Sequence, residues 1–216
     1  MLRVGGIVLC GGQSKRMGRP KAWLPFAGEI MLPRVVRLLR EAVEPVVVVA
    51  APGQDLPGLP ADVEIVRDEE KGRGPLQGLA AGLAALKGRA DAAYLSSCDV
   101  PFLQPAFVRR LIELLGDYAV CVPKVADFHH PLAAIYRLEV ADRVAELLAG
   151  NRLRPFFLFE LVRTRVVEAR ELESADPTFQ TLRNLNRWDD YQEALRESSY
   201  QPPAVSPLKP SANSRK

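Results

Sequence analysis

The chain has 216 residues, of which 48% are hydrophobic and 25% charged, as is usual for a soluble globular protein. Its net charge of +3 is too small to indicate nucleic-acid binding, and no apolar run approaches the roughly 20 residues of a membrane-spanning helix. We therefore expect a cytoplasmic protein without a nucleic-acid or membrane partner. The three cysteines, Cys10, Cys98 and Cys121, form no C-x-x-C pair, which favours reduced thiols.

Strand and helix patterns alternate along the chain. The predicted strands are short apolar runs, at residues 5–9, 45–50, 63–66, 92–97, 118–122, 132–136 and 164–167. The predicted helices carry apolar residues three and four positions apart, at residues 31–42, 75–86, 105–115, 140–148 and 188–197. This alternation predicts one α/β domain over residues 1–197 with a mainly parallel central sheet. Residues 198–216 are rich in Pro and Ser and are predicted to form a disordered tail.

The segment after the first predicted strand combines glycines with positive charge. Gly11 and Gly12 follow the strand, and Ser14 comes next. Four cations lie within the following seven residues, at Lys15, Arg16, Arg19 and Lys21. Glycines let backbone N–H groups approach a ligand, and clustered cations suit a polyphosphate. The sequence therefore predicts a phosphate-binding loop, although its spacing fits neither a Walker A loop nor G-x-G-x-x-G. The alternative is a surface loop that is basic by chance.

Residues 9–21, LCGGQSKRMGRPK, match the signature L-x-G-G-x-S-x-R-M-G-x-x-K. The chain thereby resembles the MobA-type nucleotidyltransferases, the family of molybdenum cofactor guanylyltransferase. That family joins GMP from GTP to molybdopterin and releases pyrophosphate. The resemblance implies GTP and molybdopterin as substrates, Mg²⁺ as cofactor, and transient contacts with proteins that deliver or accept the cofactor. It also implies a Rossmann-like three-layer sandwich of the nucleotide-diphospho-sugar transferase type.

The same resemblance implies roles for residues of this segment. Arg16 and Lys21 would stabilise charge on the leaving pyrophosphate and so act in catalysis. The residues implied to bind the nucleotide are Leu9, Cys10, Gly11, Gly12, Ser14 and Lys21. Cys10 replaces the alanine more usual in the family, and we expect it to have a packing role.

Asp99 directly follows a predicted strand and is followed by Val100 and Pro101. The segment resembles the family's C-D-x-P motif, whose aspartate binds the metal. The resemblance therefore implies that Asp99 binds Mg²⁺ and the nucleotide and takes part in catalysis. One or two carboxylates, with water and phosphate oxygens, are the usual protein site for Mg²⁺. A turn or helix-capping aspartate is the alternative.

Asp68 lies in a charged loop before a predicted helix that begins near Gly74. Asp68 and the segment 74–78, GPLQG, resemble the family's D-x(n)-G-P-L-x-G, which implies nucleotide binding by Asp68 and Gly74. A helix N-terminus also favours anionic groups. Because Glu69 and Glu70 adjoin Asp68, a solvated acidic loop is the alternative.

Two later segments also resemble family motifs. The sequence HHPLA at 129–133 resembles H-P-x-x-A, which implies that His130 helps to bind the acceptor; a loop histidine without this role is the alternative. The sequence NLN at 184–186 resembles the start of N-x-N-T-P-E/D, and RWD follows instead of TPE. This resemblance implies that Asn184 binds the acceptor and that Asn186 is a second metal ligand. Capping of the next helix is the alternative for Asn186.

The identity of the nucleotide base is left open by a departure from the family pattern. Related chains often carry Asn at the end of the second strand, whereas residues 48–51 read VVAA. The alternatives are a molybdopterin cytidylyltransferase, a sugar-phosphate nucleotidyltransferase and a catalytically silent nucleotide-binding regulator. In any of these, ligands are expected beyond the carboxyl ends of the parallel strands. The glycine-containing loop, Asp68 and Asp99 are therefore predicted to share one edge of the sheet.

Overall fold

A central sheet of eight strands organises the computed structural model, which describes residues 2–11, 19–68 and 73–198. In chain order the strands are β1 (Val4–Leu9), β2 (Pro25–Phe26), β3 (Glu29–Ile30), β4 (Val46–Ala50), β5 (Glu64–Arg67), β6 (Ala92–Ser97), β7 (Val120–Val125), β8 (Phe128–His129), β9 (Ala134–Arg137) and β10 (Thr164–Glu168). Of these, β2 and β3 form a separate antiparallel hairpin. The helices are α1 (Met31–Arg40), α2 (Gly74–Leu86), α3 (Pro105–Leu115), α4 (Ala141–Ala149), α5 (Phe156–Phe159) and α6 (Trp188–Glu197).

The strands of the large sheet lie in the order β10-β7-β9-β6-β1-β4-β5, with β8 paired to β7. Parallel pairing joins β1 to β4 and β6, β4 to β5, and β7 to β10. Only β8 and β9, among the strands of this sheet that the structure describes, run against their neighbours. The prediction of a mainly parallel sheet is thus confirmed. On one side of β1 the chain adds β4 and β5, and on the other side it adds β6, so the direction of strand addition reverses at β1. Doubly wound sheets bind ligands at such a reversal.

Helices cover both faces of the sheet and make the fold a three-layer sandwich. On one face α1 and α3 bury apolar side chains such as Val35 and Phe107. On the other face α2 and α4 bury side chains such as Leu79 and Val144. The central strands are buried on both faces, which explains their uninterrupted apolar sequence, as in the VVVV run that begins β4.

Two glycines let α2 lie close to β1. A Cβ added at Gly82 would stand 2.6 Å from the Ile7 side chain, and one at Gly78 would stand 2.8 Å from that of Leu9. Both distances are shorter than a carbon–carbon contact allows. The small residues of this helix therefore fix its separation from the strand that leads into the glycine-containing loop.

Element boundaries differ from the predictions mainly at the ends. The strand predicted at 118–122 is Val120–Val125. Residues 154–162, whose sequence is compatible with either a helix or an irregular segment, contain the short helix Phe156–Phe159. The proposed disordered tail lies outside the described residues from position 199 onward. Within the described part of the chain, the three cysteines are free thiols and no helix is long and apolar enough to cross a membrane.

Candidate active site

Asp99 lies just beyond the carboxyl end of β6 and is only 6% exposed. Its Oδ1 atom accepts hydrogen bonds from Ser97 Oγ at 2.6 Å and from Asn184 Nδ2 at 2.9 Å. Its Oδ2 atom accepts a bond from Lys21 Nζ at 2.6 Å. A carboxylate removed from water needs such partners, and here three side chains orient it.

Lys21 forms hydrogen bonds to Asp99 and to the later segment 184–186. It begins a short 3₁₀ helix, Lys21–Trp23, and its ammonium donates to both Asp99 Oδ2 and Asn186 Oδ1, the latter at 2.9 Å. The Lys21 and Asp99 side chains are 16% and 9% exposed. The structure thus brings together three residues that the sequence predicted for catalysis and metal binding.

The segment 184–186 crosses the edge of the sheet as a strap over Asp99. Its central residue, Leu185, donates its backbone N–H to the Asp99 carbonyl at 2.9 Å, and Asn184 also donates to Ser97 Oγ at 2.9 Å. Arg187 is the N-cap residue of α6, and the Asp190 carboxylate in the first turn accepts the backbone N–H groups of Asn186 and Arg187. The Asn186 side chain therefore accepts a hydrogen bond from Lys21 and does not cap α6.

The carboxyl end of β1 reaches the same edge. The Leu9 carbonyl accepts the Cys98 N–H at 3.0 Å, and the Cys10 N–H donates to the Val49 carbonyl at 2.8 Å. A Cβ added at Gly11 would lie 3.3 Å from the Ala51 nitrogen, so the backbones approach closely here. The predicted residues Gly12, Ser14 and Arg16 lie outside the described residues.

Gln54 supports the end of β1, and sequence reasoning missed it. Its Nε2 donates to the Cys10 carbonyl at 3.0 Å, and its Oε1 accepts the Ala51 N–H at 3.0 Å. Arg67 in turn donates to the Gln54 carbonyl at 2.7 Å. Gln54 stands in a loop rich in Pro and Gly with no motif around it, so no local pattern indicated its role.

Cys10 and Cys98 follow paired residues of β1 and β6, and both are buried. A hydrogen bond from the Cys98 thiol lowers the pKa of Cys10, to which the Gln54 amide also donates. The same thiol–thiol bond, together with burial, raises the pKa of Cys98 well above its ordinary value. Cys10 is more than a packing residue, because its sulfur accepts a hydrogen bond from the Gln54 amide at 3.5 Å.

Asp68 and Gly74 stand further along the edge. Asp68 follows β5, and its N–H donates to the Ala50 carbonyl at 2.9 Å. Gly74 begins α2 with φ of +72°, a conformation that favours glycine, and a Cβ there would lie 3.6 Å from the Leu153 carbonyl. Arg73 donates to the Leu148 carbonyl at the end of α4. These contacts fix the N-terminus of α2 beside the segment between α4 and α5.

His130 lies at the carboxyl end of β7, where its N–H donates to the Pro123 carbonyl at 2.9 Å. Burial lowers the pKa of its imidazole below the ordinary value of 6.5, and a hydrogen bond to the Val125 backbone opposes this shift. The ring is therefore neutral at pH 7. The adjacent His129 ring contacts Phe156 and Phe159 at centroid distances of 5.9 and 6.0 Å.

The structure therefore divides the predicted residues into groups. Asp99, Lys21, Asn184 and Asn186 form one hydrogen-bonded cluster. Leu9, Cys10 and Gly11 adjoin it through the β1–β6 pairing, and Asp68, Gly74 and His130 lie further along the same edge. Ser97 was missed as a member, although its position two residues before Asp99 was a usable signal.

The oxygens of the cluster fit a hard divalent cation. Asp99 supplies a carboxylate and Asn186 an amide oxygen, and Mg²⁺ prefers such ligands. Among the described residues, no group of three or more His, Cys, Asp and Glu side chains is arranged to hold a metal. This donor set fits an ion that completes its shell with water and phosphate oxygens, as Mg²⁺ commonly does.

Comparison with known families matches the chain to the MobA-like NTP transferase domain over residues 6–164. The chain belongs to this family. It is accordingly a nucleotidyltransferase, and the matched region contains most of β1 together with Lys21, Asp99 and His130. The strap at 184–186 lies beyond the matched region.

Curated relatives are similar over most of their length. A probable molybdenum cofactor guanylyltransferase of Mycobacterium avium (strain 104) is 40% identical over 155 residues, which cover 69% of this chain and 77% of the relative. A protein of the same name from Mycobacterium tuberculosis is 41% identical over 155 residues, covering 69% and 76%.

Solved structures confirm the nucleotide-diphospho-sugar transferase type of fold. Molybdopterin-guanine dinucleotide biosynthesis protein A of Archaeoglobus fulgidus superposes with a TM-score of 0.75 at 21% identity, covering 90% of this chain and 98% of that one. The 2-C-methyl-D-erythritol 4-phosphate cytidylyltransferase of Thermus thermophilus superposes with a TM-score of 0.68 at 16% identity, covering 92% and 100%. At these identities the likeness concerns the fold alone.

Proposed function

We propose that this chain is a molybdenum cofactor guanylyltransferase, which transfers GMP from GTP to the terminal phosphate of molybdopterin in a Mg²⁺-dependent reaction. The observation that carries the proposal is the Lys21–Asp99–Asn186 cluster at the point where the strand order turns back. Support also comes from the two mycobacterial relatives, whose names give this activity. The missing asparagine after β4 keeps a cytidylyltransferase as the second candidate.

In the proposed reaction, an oxygen of the acceptor phosphate attacks the α-phosphorus of GTP. The new P–O bond forms as the bond between the α-phosphorus and its bridging oxygen breaks, and pyrophosphate leaves with the electron pair. Such transfers depend mostly on positioning and charge neutralisation, so no covalent enzyme intermediate is needed. A bound Mg²⁺ would supply Lewis-acid activation of phosphate oxygens.

The side chains of the chain have distinct parts in this proposal. Asp99 and Asn186 would hold the metal, and Ser97 and Asn184 would keep the Asp99 carboxylate in one orientation. The ammonium of Lys21 would stabilise negative charge on the phosphates. The end of β1 would present backbone N–H groups to the nucleotide, and neutral His130 would lie on the acceptor side of the edge.

The test is a transfer assay with purified protein, Mg²⁺ and molybdopterin, supplied with GTP, CTP, ATP or UTP. Pyrophosphate release and the mass of the dinucleotide product are measured together. We expect guanine dinucleotide from GTP and little product from the other three nucleotides. A cytosine dinucleotide as the main product would assign the protein to the second candidate. Nucleotide binding without any product would indicate a silent nucleotide-binding regulator.

A further inference from the structure

The Lys21 ammonium occupies the space between the two oxygens proposed to bind the metal. Its Nζ lies 2.6 Å from Asp99 Oδ2 and 2.9 Å from Asn186 Oδ1. A monovalent cation of the chain itself is therefore bound where a divalent cation is needed. Two cations cannot share these oxygens at contact distance without strong repulsion, because the site is largely removed from solvent.

The oxygens are held in place from other directions. Asp99 Oδ1 is bonded to Ser97 and Asn184, and the Asp99 carbonyl accepts the Leu185 N–H. The backbone N–H of Asn186 is bonded to Asp190. These bonds do not involve Lys21, so they persist if its ammonium leaves. Lys21 is the partner able to move, since its charge lies at the end of a four-carbon stem.

The pairing also has a function in the nucleotide-free protein. A buried carboxylate without a counter-ion is costly, and the Lys21 ammonium neutralises Asp99 where the carboxylate is only 9% exposed. When a metal replaces the ammonium, the displaced charge needs a new partner. The phosphates of an incoming nucleotide would provide one, because a lysine ammonium is a common phosphate ligand.

We propose that Lys21 is a displaceable counter-ion, which occupies the metal position in the nucleotide-free protein and moves to the phosphates when the metal binds. The inference rests on the proposed metal site of the transferase. It adds that the metal binds together with the nucleotide and not before it. Metal alone must compete with the ammonium and binds weakly. Metal that arrives with a triphosphate binds well, because the phosphates receive the ammonium that it displaces. Lys21 thereby couples metal binding to nucleotide binding.

The first test measures Mn²⁺ binding without nucleotide, by electron paramagnetic resonance of the free ion. Lys21→Met keeps an unbranched side chain one atom shorter and removes its charge. We expect Lys21→Met to bind Mn²⁺ at least about tenfold more tightly than the wild type, as loss of a competing charged hydrogen bond implies. Lys87→Met is the matched control, because Lys87 is exposed at the C-terminal end of α2, opposite the end of the helix that lies at the site, and this variant should bind Mn²⁺ like the wild type. Equal or weaker binding by Lys21→Met overturns the inference.

The second test locates the ammonium directly and does not depend on the stability of a variant. Wild-type crystals with Mn²⁺ and a non-hydrolysable GTP analogue would show the metal by its anomalous scattering. We expect Mn²⁺ on Asp99 and the Lys21 Nζ on a phosphate oxygen. Mn²⁺ on Asp99 with Nζ still bonded to Asp99 Oδ2 overturns the inference and leaves the proposed function intact. Absence of Mn²⁺ from Asp99 overturns the proposed metal site as well.

Discussion

Asn184 donates its side-chain amide to the Asp99 carboxylate at 2.9 Å, across 85 positions of sequence. The same amide donates to Ser97 Oγ, which itself bonds to the carboxylate, so three polar groups form a closed arrangement. This geometry gives Asn184 a role in addition to the predicted contact with the acceptor, which stays a prediction. Its amide nitrogen faces the Asp99 side chain and fixes the direction of the carboxylate.

Asn184→Ala should therefore weaken metal binding in a protein that still folds. We expect the Mn²⁺ affinity to fall about 10–100-fold, which is usual when a group that orients a metal ligand is removed. The melting temperature should fall by several degrees, because a hydrogen bond to a charged group contributes about 1.5–3 kcal/mol and each kcal/mol corresponds to about 2–4 °C in a chain of this size. Ser97→Ala and the double variant complete a mutant cycle. Strictly additive effects of the two substitutions would contradict the closed arrangement.

Asp99→Asn should remove transfer activity while leaving a folded protein. The amide keeps the shape of the side chain and loses the charge that would anchor Mg²⁺, so turnover should fall by orders of magnitude. Some stability is lost as well, because Lys21 loses its ion pair. The decisive measurement is the affinity for GTP with and without Mg²⁺. This affinity should no longer respond to the ion, whereas a well-folded variant with near-normal transfer would exclude the metal role.

His130 makes stability depend on pH. Burial lowers the pKa of its imidazole, so the unfolded chain binds a proton more readily than the folded protein. The free energy of unfolding should therefore decrease as the pH falls below about 6.5, towards the lower pKa of the folded state. Denaturant unfolding at pH 7.5 and pH 5.5 measures this loss. His130→Gln, which cannot be protonated, should lose less stability over the same interval; an identical loss would show that other groups cause it.

Gly82→Ala should destabilise the protein although alanine favours helices. The added methyl group would stand 2.6 Å from the fully buried Ile7 side chain, and overpacking of this kind costs about 1–3 kcal/mol. Better helix propensity offsets about 0.5–1 kcal/mol of this cost. Ala84→Gly, at an exposed position of α2, measures separately how much the difference in helix propensity between alanine and glycine contributes to the free energy of unfolding. A higher melting temperature for Gly82→Ala would show that Ile7 moves aside without cost.

Much of the fold follows from local patterns in the sequence. The strand Ala92–Ser97 and the helices Pro105–Leu115 and Trp188–Glu197 have the predicted limits, because their apolar spacing defines them locally and Pro105 marks the start of its helix. The hairpin of β2 and β3 was missed, since two-residue strands are too short to show a period. The antiparallel direction of β9 was not predicted either, because direction depends on the path of the whole chain and not on the strand itself.

The site was predictable to the extent that motifs mark it. The motif around Asp99, the family signature through Lys21 and the N-x-N motif at 184–186 identified four members of the cluster, and Ser97 was missed. The bonds between members were not predictable, because the sheet and the strap bring together groups that are 78 to 165 positions apart. Gln54 shows the same limit, since it reaches Cys10 across 44 positions from a loop without a motif.

The strap has a consequence for the order in which a ribosome makes this protein. Every strand of the large sheet that the structure describes is complete at Glu168, whereas Asn184, Leu185 and Asn186 are synthesised later. A nascent chain can therefore pair its strands before Asp99 has the partners that orient it. The cluster closes only when the last described helix is emerging, so a product terminated between residues 168 and 184 would retain the sheet strands and lack the strap that completes the site.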